Sequence, residues 1–149
     1  FGSNTEHAEE IARVLDRVAR EPGSVDLVAH SMGGLAARYL FLRHNQARLI
    51  RRAIFLGSPH QGTLAAYLVW GRGAAEMRPG SNFLIALRES PSYRPDLIAI
   101  RAPVDIRILP PANARLAGAR NLRVPCLGHR HLLRARRVLD RVRALLEEP

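Results

Sequence analysis

A chain of 149 residues with 47% hydrophobic content holds enough apolar material for one domain with a real core, which excludes a disordered segment. No apolar run in it approaches the ~20 residues of a membrane-spanning helix, and a single cysteine, Cys126, excludes an internal disulfide. The net charge of +10 invites a nucleic-acid reading, but all 23 basic residues are arginine, which fits GC-rich codon usage, and they are scattered.

The arginine clusters at Arg13, Arg17 and Arg20, at Arg48, Arg51 and Arg52, and along Arg134 to Arg143 therefore read as solvated faces. No nucleic-acid partner is expected. Attraction to an anionic membrane surface is the lesser reading of the charge. The chain opens Phe1-Gly2-Ser3-Asn4, without an initiator methionine, a basic start or an apolar leader. It is expected to be a single domain, residues 1–149, truncated at its N-terminal side. Cytoplasmic and secreted locations both stay open.

Taken in order, residues 6–20 read as an amphipathic helix with Ile11, Val14, Leu15 and Val18 inward, opened by a capping box from Ser3 to Glu6. Val25 to His30 reads as a strand, and a helix follows to about His44. Arg52 to Gly57 is a second strand, whose unbroken apolar character predicts cover on both faces, as in a parallel sheet. Residues 62–90 are partly helical, broken by Gly71, Gly73, Pro79 and Gly80. A third strand is expected within Leu97 to Leu109 and a fourth at Leu122 to Leu127, making Cys126 a buried strand thiol. A last helix from about His131 turns Ala135, Val138, Leu139, Val142, Leu145 and Leu146 inward. Strands alternating with helices predict βαβ units and a parallel sheet of about four strands flanked by helices.

Ala29-His30-Ser31-Met32-Gly33-Gly34 lies at the first strand-to-helix turn. A sharp elbow there pushes the Ser31 hydroxyl above the strand's carboxyl end, where a base can reach it. The turn needs small residues, and Gly33 is expected to sit where a side chain would strike neighbouring backbone. The Met32 N–H, at the positive end of the helix, points to where the oxygen of a bound carbonyl would lie. A serine nucleophile needs a base and the base an orienting acid. His129 and His131 follow the fourth strand, at the sheet edge that carries Ser31. The acidic residues between serine and histidine are Glu76, Glu89, Asp96 and Asp105.

Three blocks in order resemble the bacterial lipase/esterase family of α/β-hydrolases. They are Ala29 to Gly34 with the helix start Leu35-Ala36-Ala37-Arg38-Tyr39, Gly57-Ser58-Pro59-His60-Gln61-Gly62-Thr63, and Gly118-Ala119-Arg120-Asn121 followed by Gly128-His129 and Leu132-Leu133. The first departs from the G-x-S-x-G pattern only in Ala29. The resemblance spans nearly the whole chain and the C-terminal part of the family's domain. It implies a partial α/β-hydrolase fold. It places the base at His129, directly after the glycine, and leaves His131 at a helix start. His60 shapes a loop beside the site and is not the base. His30, which precedes the nucleophile, is expected to be a pocket wall or a helix-packing residue.

In the family the acid ends the strand before the Gly-Ala-Arg-Asn block, which selects Asp105. Against this, Val104 to Leu109 alternates like a strand interior. If Ala102-Pro103 begins that strand, Asp105 comes too early and the acid loop is missing. A second oxyanion donor, expected before Ser31, is not found, and Phe1-Gly2-Ser3 resembles the tail of the preceding loop.

The resemblance implies a hydrolase of carboxylic esters. Ser31, His129 and Asp105 are the triad, Met32 is the oxyanion donor, and the substrate is a small-molecule or lipid ester. Leu64, Tyr67 and Trp70 are expected in the acyl-binding wall, with an ordinary buried helix as the competing reading. The chemistry needs no metal and no organic cofactor. Two other readings are carried forward, a catalytically impaired or inactive fragment and a basic nucleic-acid-binding module. Acyl chain length and oligomeric state are not legible.

Overall fold

The capping box forms as the sequence predicts. Ser3 Oγ accepts the Glu6 N–H at 3.3 Å and the Glu6 carboxylate accepts the Ser3 N–H at 2.9 Å, opening helix α1 (Asn4–Val18). The computed structural model describes residues 2–89 and 94–149, so Phe1 of the opening tripeptide lies outside the described residues. The buried stripe of α1 is Ala8, Ala12 and Leu15, with Ile11 half-buried, while Val14 and Val18 face solvent. Small side chains win the inner face because α1 lies closely on the next helix, whose Ala37 and Leu40 complete the same cluster.

The elements follow as β1 (Val25–His30), α2 (Gly33–Arg43), β2 (Ile50–Leu56), the short helices α3 (Arg72–Glu76) and α4 (Asn82–Ala86), β3 (Asp96–Arg101), β4 (Arg120–Arg123) and α5 (Arg136–Glu147). Among the described residues the strands form one four-stranded parallel sheet in the order β1-β2-β3-β4. β2 is covered on both faces, as its apolar run predicts. Ala53 and Phe55 join Ala29 and Ala99 against α1 and α2. Ile54 and Leu56 join Ile98 and Ile100 against Val138 and Leu145 of α5. β1 is an edge strand with no residue in that second cluster, and its Val28 is exposed.

Further expectations are corrected, besides the inward Val14 and Val18. β4 ends at Arg123, short of Leu127, because Pro125 lacks the N–H a strand ladder needs. Cys126 is therefore past the strand and half-buried rather than a buried strand thiol. α5 starts at Arg136, since His129–Leu133 first forms a 3₁₀ turn, and its Leu139 faces outward. The cluster at Arg51 and Arg52 is not a solvated face. Arg52 is buried and reaches the carbonyls of Leu145 and Glu148 at the end of α5, as well as the Asp96 carboxylate at 2.7 Å. Arg51 meets the Leu146 and Glu148 carbonyls and pairs with Asp26. Cations at the negative end of a helix dipole are stabilising, so the amino ends of β1 to β3 serve as the structural end of the sheet. The carboxyl ends are left for the loops described next.

Candidate active site

β1 ends at His30, and the chain turns abruptly at Ser31, whose φ is 54°. Among the described residues it is the one non-glycine with positive φ. Such a conformation costs an L-residue about 1–2 kcal/mol and collects at functional positions. The turn is held from both sides. The Ser31 N–H donates to the Leu56 carbonyl at 2.9 Å and its own carbonyl accepts the Gly34 N–H at 3.1 Å. Ser31 Oγ has no hydrogen-bond partner among the described residues. Neither has the Met32 N–H, which sits at the start of α2, where the helix dipole is positive.

The glycine that the elbow needs is Gly34, not Gly33. A Cβ on Gly33 would meet only Ala29 Cβ, at 4.0 Å, whereas one on Gly34 would lie 2.1 Å from Ser58 Oγ and 2.6 Å from Ser58 Cβ. The sharp constraint is thus the approach of α2 to the chain just after β2. Gly34→Ala is expected to destabilise the domain by about 1–3 kcal/mol through overpacking. Gly33→Ala should stay within about 1 kcal/mol of the parent, helped by helix propensity. Equilibrium urea unfolding of the two variants checks the order, and equal losses would contradict it.

The histidine comes from the loop after β4. His129 is buried, and its Nδ1–H donates to Asp105 Oδ2 at 2.8 Å. Asp105 is also buried, and it lies past the end of β3 rather than inside a strand. Its Oδ1 accepts the backbone N–H groups of Arg107 at 2.8 Å and Ile108 at 3.0 Å. These local bonds curl the loop and aim the second oxygen at the imidazole. Val104 and Ile106 project outward while Ile108 is buried, so the apolar alternation belongs to a turn with two exposed apolar residues.

His129 reaches the serine's neighbourhood through Gly57. A Cβ there would lie 3.2 Å from His129 Nδ1 and 2.6 Å from Leu132 Cδ1, and its φ of 56° also suits glycine. Gly57 directly follows Leu56, the residue that holds the Ser31 N–H. His30 completes the wall, its ring centroid 4.5 Å from that of His129 and its Nε2 3.3 Å from the His129 carbonyl. Burial and the neighbouring His129 lower the His30 pKa.

Two residues that sequence reasoning did not single out support this arrangement. Thr63 Oγ1 donates to the Arg107 carbonyl and accepts the Leu109 N–H, both at 2.8 Å, latching the loop that carries Asp105. Gly57 clears the histidine. Both lie in the block Gly57 to Thr63, and that membership was the available signal. His60 of the same block is buried, has no partner for either ring nitrogen among the described residues, and packs on Phe55 at 4.8 Å. Burial, with Arg38 nearby, drives its pKa well down.

His131 lies outside the pair, exposed, its Nδ1–H on the Leu127 carbonyl at 2.5 Å. Of the expected acyl-wall residues, Leu64, Tyr67 and Trp70 lie on an exposed 3₁₀ turn (Leu64–Leu68) and the bend after it, not in a buried helix. Glu76 is bonded to Asn4, Glu89 to Arg43 and Asp96 to Arg52, so none of them serves His129.

A family model of PGAP1-like α/β domains matches residues 5–67. No curated protein sequence matches the chain. Among solved structures, the mature lipase BlEst2 of Bacillus licheniformis superposes with a TM-score of 0.79 at 16% identity, over 97% of this chain and 74% of its own. Aspergillus fumigatus lipase B gives 0.70 at 16% identity, over 89% of this chain and 39% of its own. The esterase EaEST of Exiguobacterium antarcticum gives 0.66 at 15% identity, over 98% and 74%. The chain has the α/β-hydrolase fold of these lipases and esterases.

Proposed function

We propose that this domain hydrolyses carboxylic esters through a serine nucleophile, with Ser31, His129 and Asp105 as the triad. The reading is supported by a strained, half-buried serine elbow after β1 and by a buried histidine–carboxylate pair whose imidazole ring lies 4.5 Å from that of His30, the residue before the serine. Ser31 Oγ attacks the ester carbonyl as His129 Nε2 takes its proton. Asp105, fixed by two backbone donors, holds Nδ1–H and steadies the imidazolium. The oxyanion that forms takes a hydrogen bond from the Met32 N–H. His129 returns its proton to the leaving alcohol, leaving an acyl-enzyme on Ser31. Water, deprotonated by the same imidazole, then releases the acid. His30 walls the site, and Leu64, Tyr67 and Trp70 flank the approach of the acyl group. No step requires a metal or an organic cofactor.

The two histidines of the last loop separate this reading from its nearest competitor. His129→Ala is expected to lower p-nitrophenyl butyrate hydrolysis by roughly 10⁴–10⁶-fold. His131→Ala, which removes an exposed ring bonded to the Leu127 carbonyl, should change it by less than about threefold. Loss confined to His131→Ala would reverse the assignment of the base.

A further inference from the structure

The loops around Ser31 and His129 carry apolar side chains that the hydrolytic steps do not use. Leu68 is 85% exposed, Trp70 93%, Ile106 77% and Leu127 85%. They come from three separate loops, and backbone contacts bring those loops to one edge. The Leu64 N–H donates to the Leu109 carbonyl at 3.0 Å, joining the Trp70 loop to the Asp105 loop. Ile106 and Leu127 line a single groove of about 710 Å³ that also reaches His129. On the other side, α3 follows Trp70 directly, and a Cβ on its Gly73 would lie 2.8 Å from Met32 Sδ, against the serine elbow. The exposed apolar residues therefore form a rim around the nucleophile and its base.

The loops that carry Leu68, Trp70, Ile106 and Leu127 hold no exposed carboxylate of their own. Residues 61–75 contain no carboxylate, and residues 97–139 contain only Asp105, which is buried against His129. Arg107, Arg130 and Arg134 are exposed on the same two loops as Ile106 and Leu127. A tryptophan and leucines at the tips of loops, with arginines beside them and the nearby Glu6 carboxylate already paired with Arg72, match the interface of a bilayer bearing negative headgroups. A nucleic acid would use the arginines but would give the aliphatic side chains nothing to enter.

We propose that this rim docks on an anionic phospholipid surface, with Leu68, Trp70, Ile106 and Leu127 entering the headgroup layer and Arg107, Arg130 and Arg134 meeting lipid phosphates. The inference rests on the ester-hydrolase reading for what is cut, and adds where the ester is presented, at a membrane surface facing Ser31. Docking itself is independent of turnover.

Trp70 is the only tryptophan in the chain, so its emission reports the docking directly. The experiment adds vesicles of phosphatidylglycerol and phosphatidylcholine, or of phosphatidylcholine alone, to the chain and to its Ser31→Ala variant at low salt. The expected result is a blue shift of Trp70 emission and quenching by brominated acyl chains with the anionic vesicles only, the same in both proteins, and reversed by salt. Combined Arg107→Glu, Arg130→Glu and Arg134→Glu substitutions should weaken vesicle binding by about 100-fold or more. Unchanged emission in anionic vesicles would overturn the proposal, as would an equal shift with phosphatidylcholine alone. Tight retention by duplex DNA, with no bromolipid quenching, would assign the charge to nucleic acid instead. Loss of ester hydrolysis with docking intact would count against the hydrolase reading alone.

Discussion

Ser31→Gly is expected to yield a protein more stable than its parent that turns over no ester. The two effects share one cause. The elbow holds Ser31 at φ 54°, where a Cβ is strained and glycine is not. Removing the Cβ should therefore raise unfolding free energy by about 1 kcal/mol. Removing the hydroxyl should lower kcat by about 10⁶-fold, the loss expected when the nucleophile of a coupled triad is removed. Ser31→Ala separates the contributions, because it keeps the strained Cβ and loses only the oxygen. It should be as inactive as the glycine variant but close to the parent in stability. Urea unfolding and p-nitrophenyl ester turnover on the three proteins check both halves. A glycine variant less stable than Ser31→Ala would mean that the elbow is not strained.

Asp105→Asn should cost about 10⁴-fold in kcat while leaving the fold intact. Asparagine keeps a side-chain oxygen for the Arg107 and Ile108 N–H groups, so the loop retains its turn. Its amide nitrogen then faces His129 Nδ1, a donor where an acceptor is needed. The ring is forced to keep its proton on Nε2, the nitrogen that must receive the serine's. Asp105→Ala loses the loop bonds as well and should lower both activity and melting temperature. Near-normal turnover in a well-folded Asp105→Asn variant would remove Asp105 from the mechanism.

The layout of strands and helices was legible because each rests on a local signal. Ser3 and Glu6 mark the first helix, and the unbroken apolar run of β2 marks a strand covered on both sides. What was not legible depends on partners distant in sequence. Gly33 and Gly34 look alike in the chain, and only Ser58 decides which one is tight. Arg51 and Arg52 resemble any exposed basic pair until the end of α5 arrives over them. The alternation of Val104, Ile106 and Ile108 imitates a strand, since two exposed apolar residues have the same period as one buried face. The backbone bonds of Asp105 that settle its conformation leave no trace in composition. Leu64, Tyr67 and Trp70 read as a wall or a buried helix because apolar residues usually are inside. Here the short turn they occupy leaves them in solvent.

The most direct test of Ser31 as an activated nucleophile is stoichiometric phosphonylation. The folded chain is treated with a fluorophosphonate, and the adduct is located by mass spectrometry of its peptides. The expected result is one adduct per chain, on Ser31, absent from Ser31→Ala and formed far more slowly in His129→Ala. An adduct elsewhere, or labelling undiminished in Ser31→Ala, would contradict it.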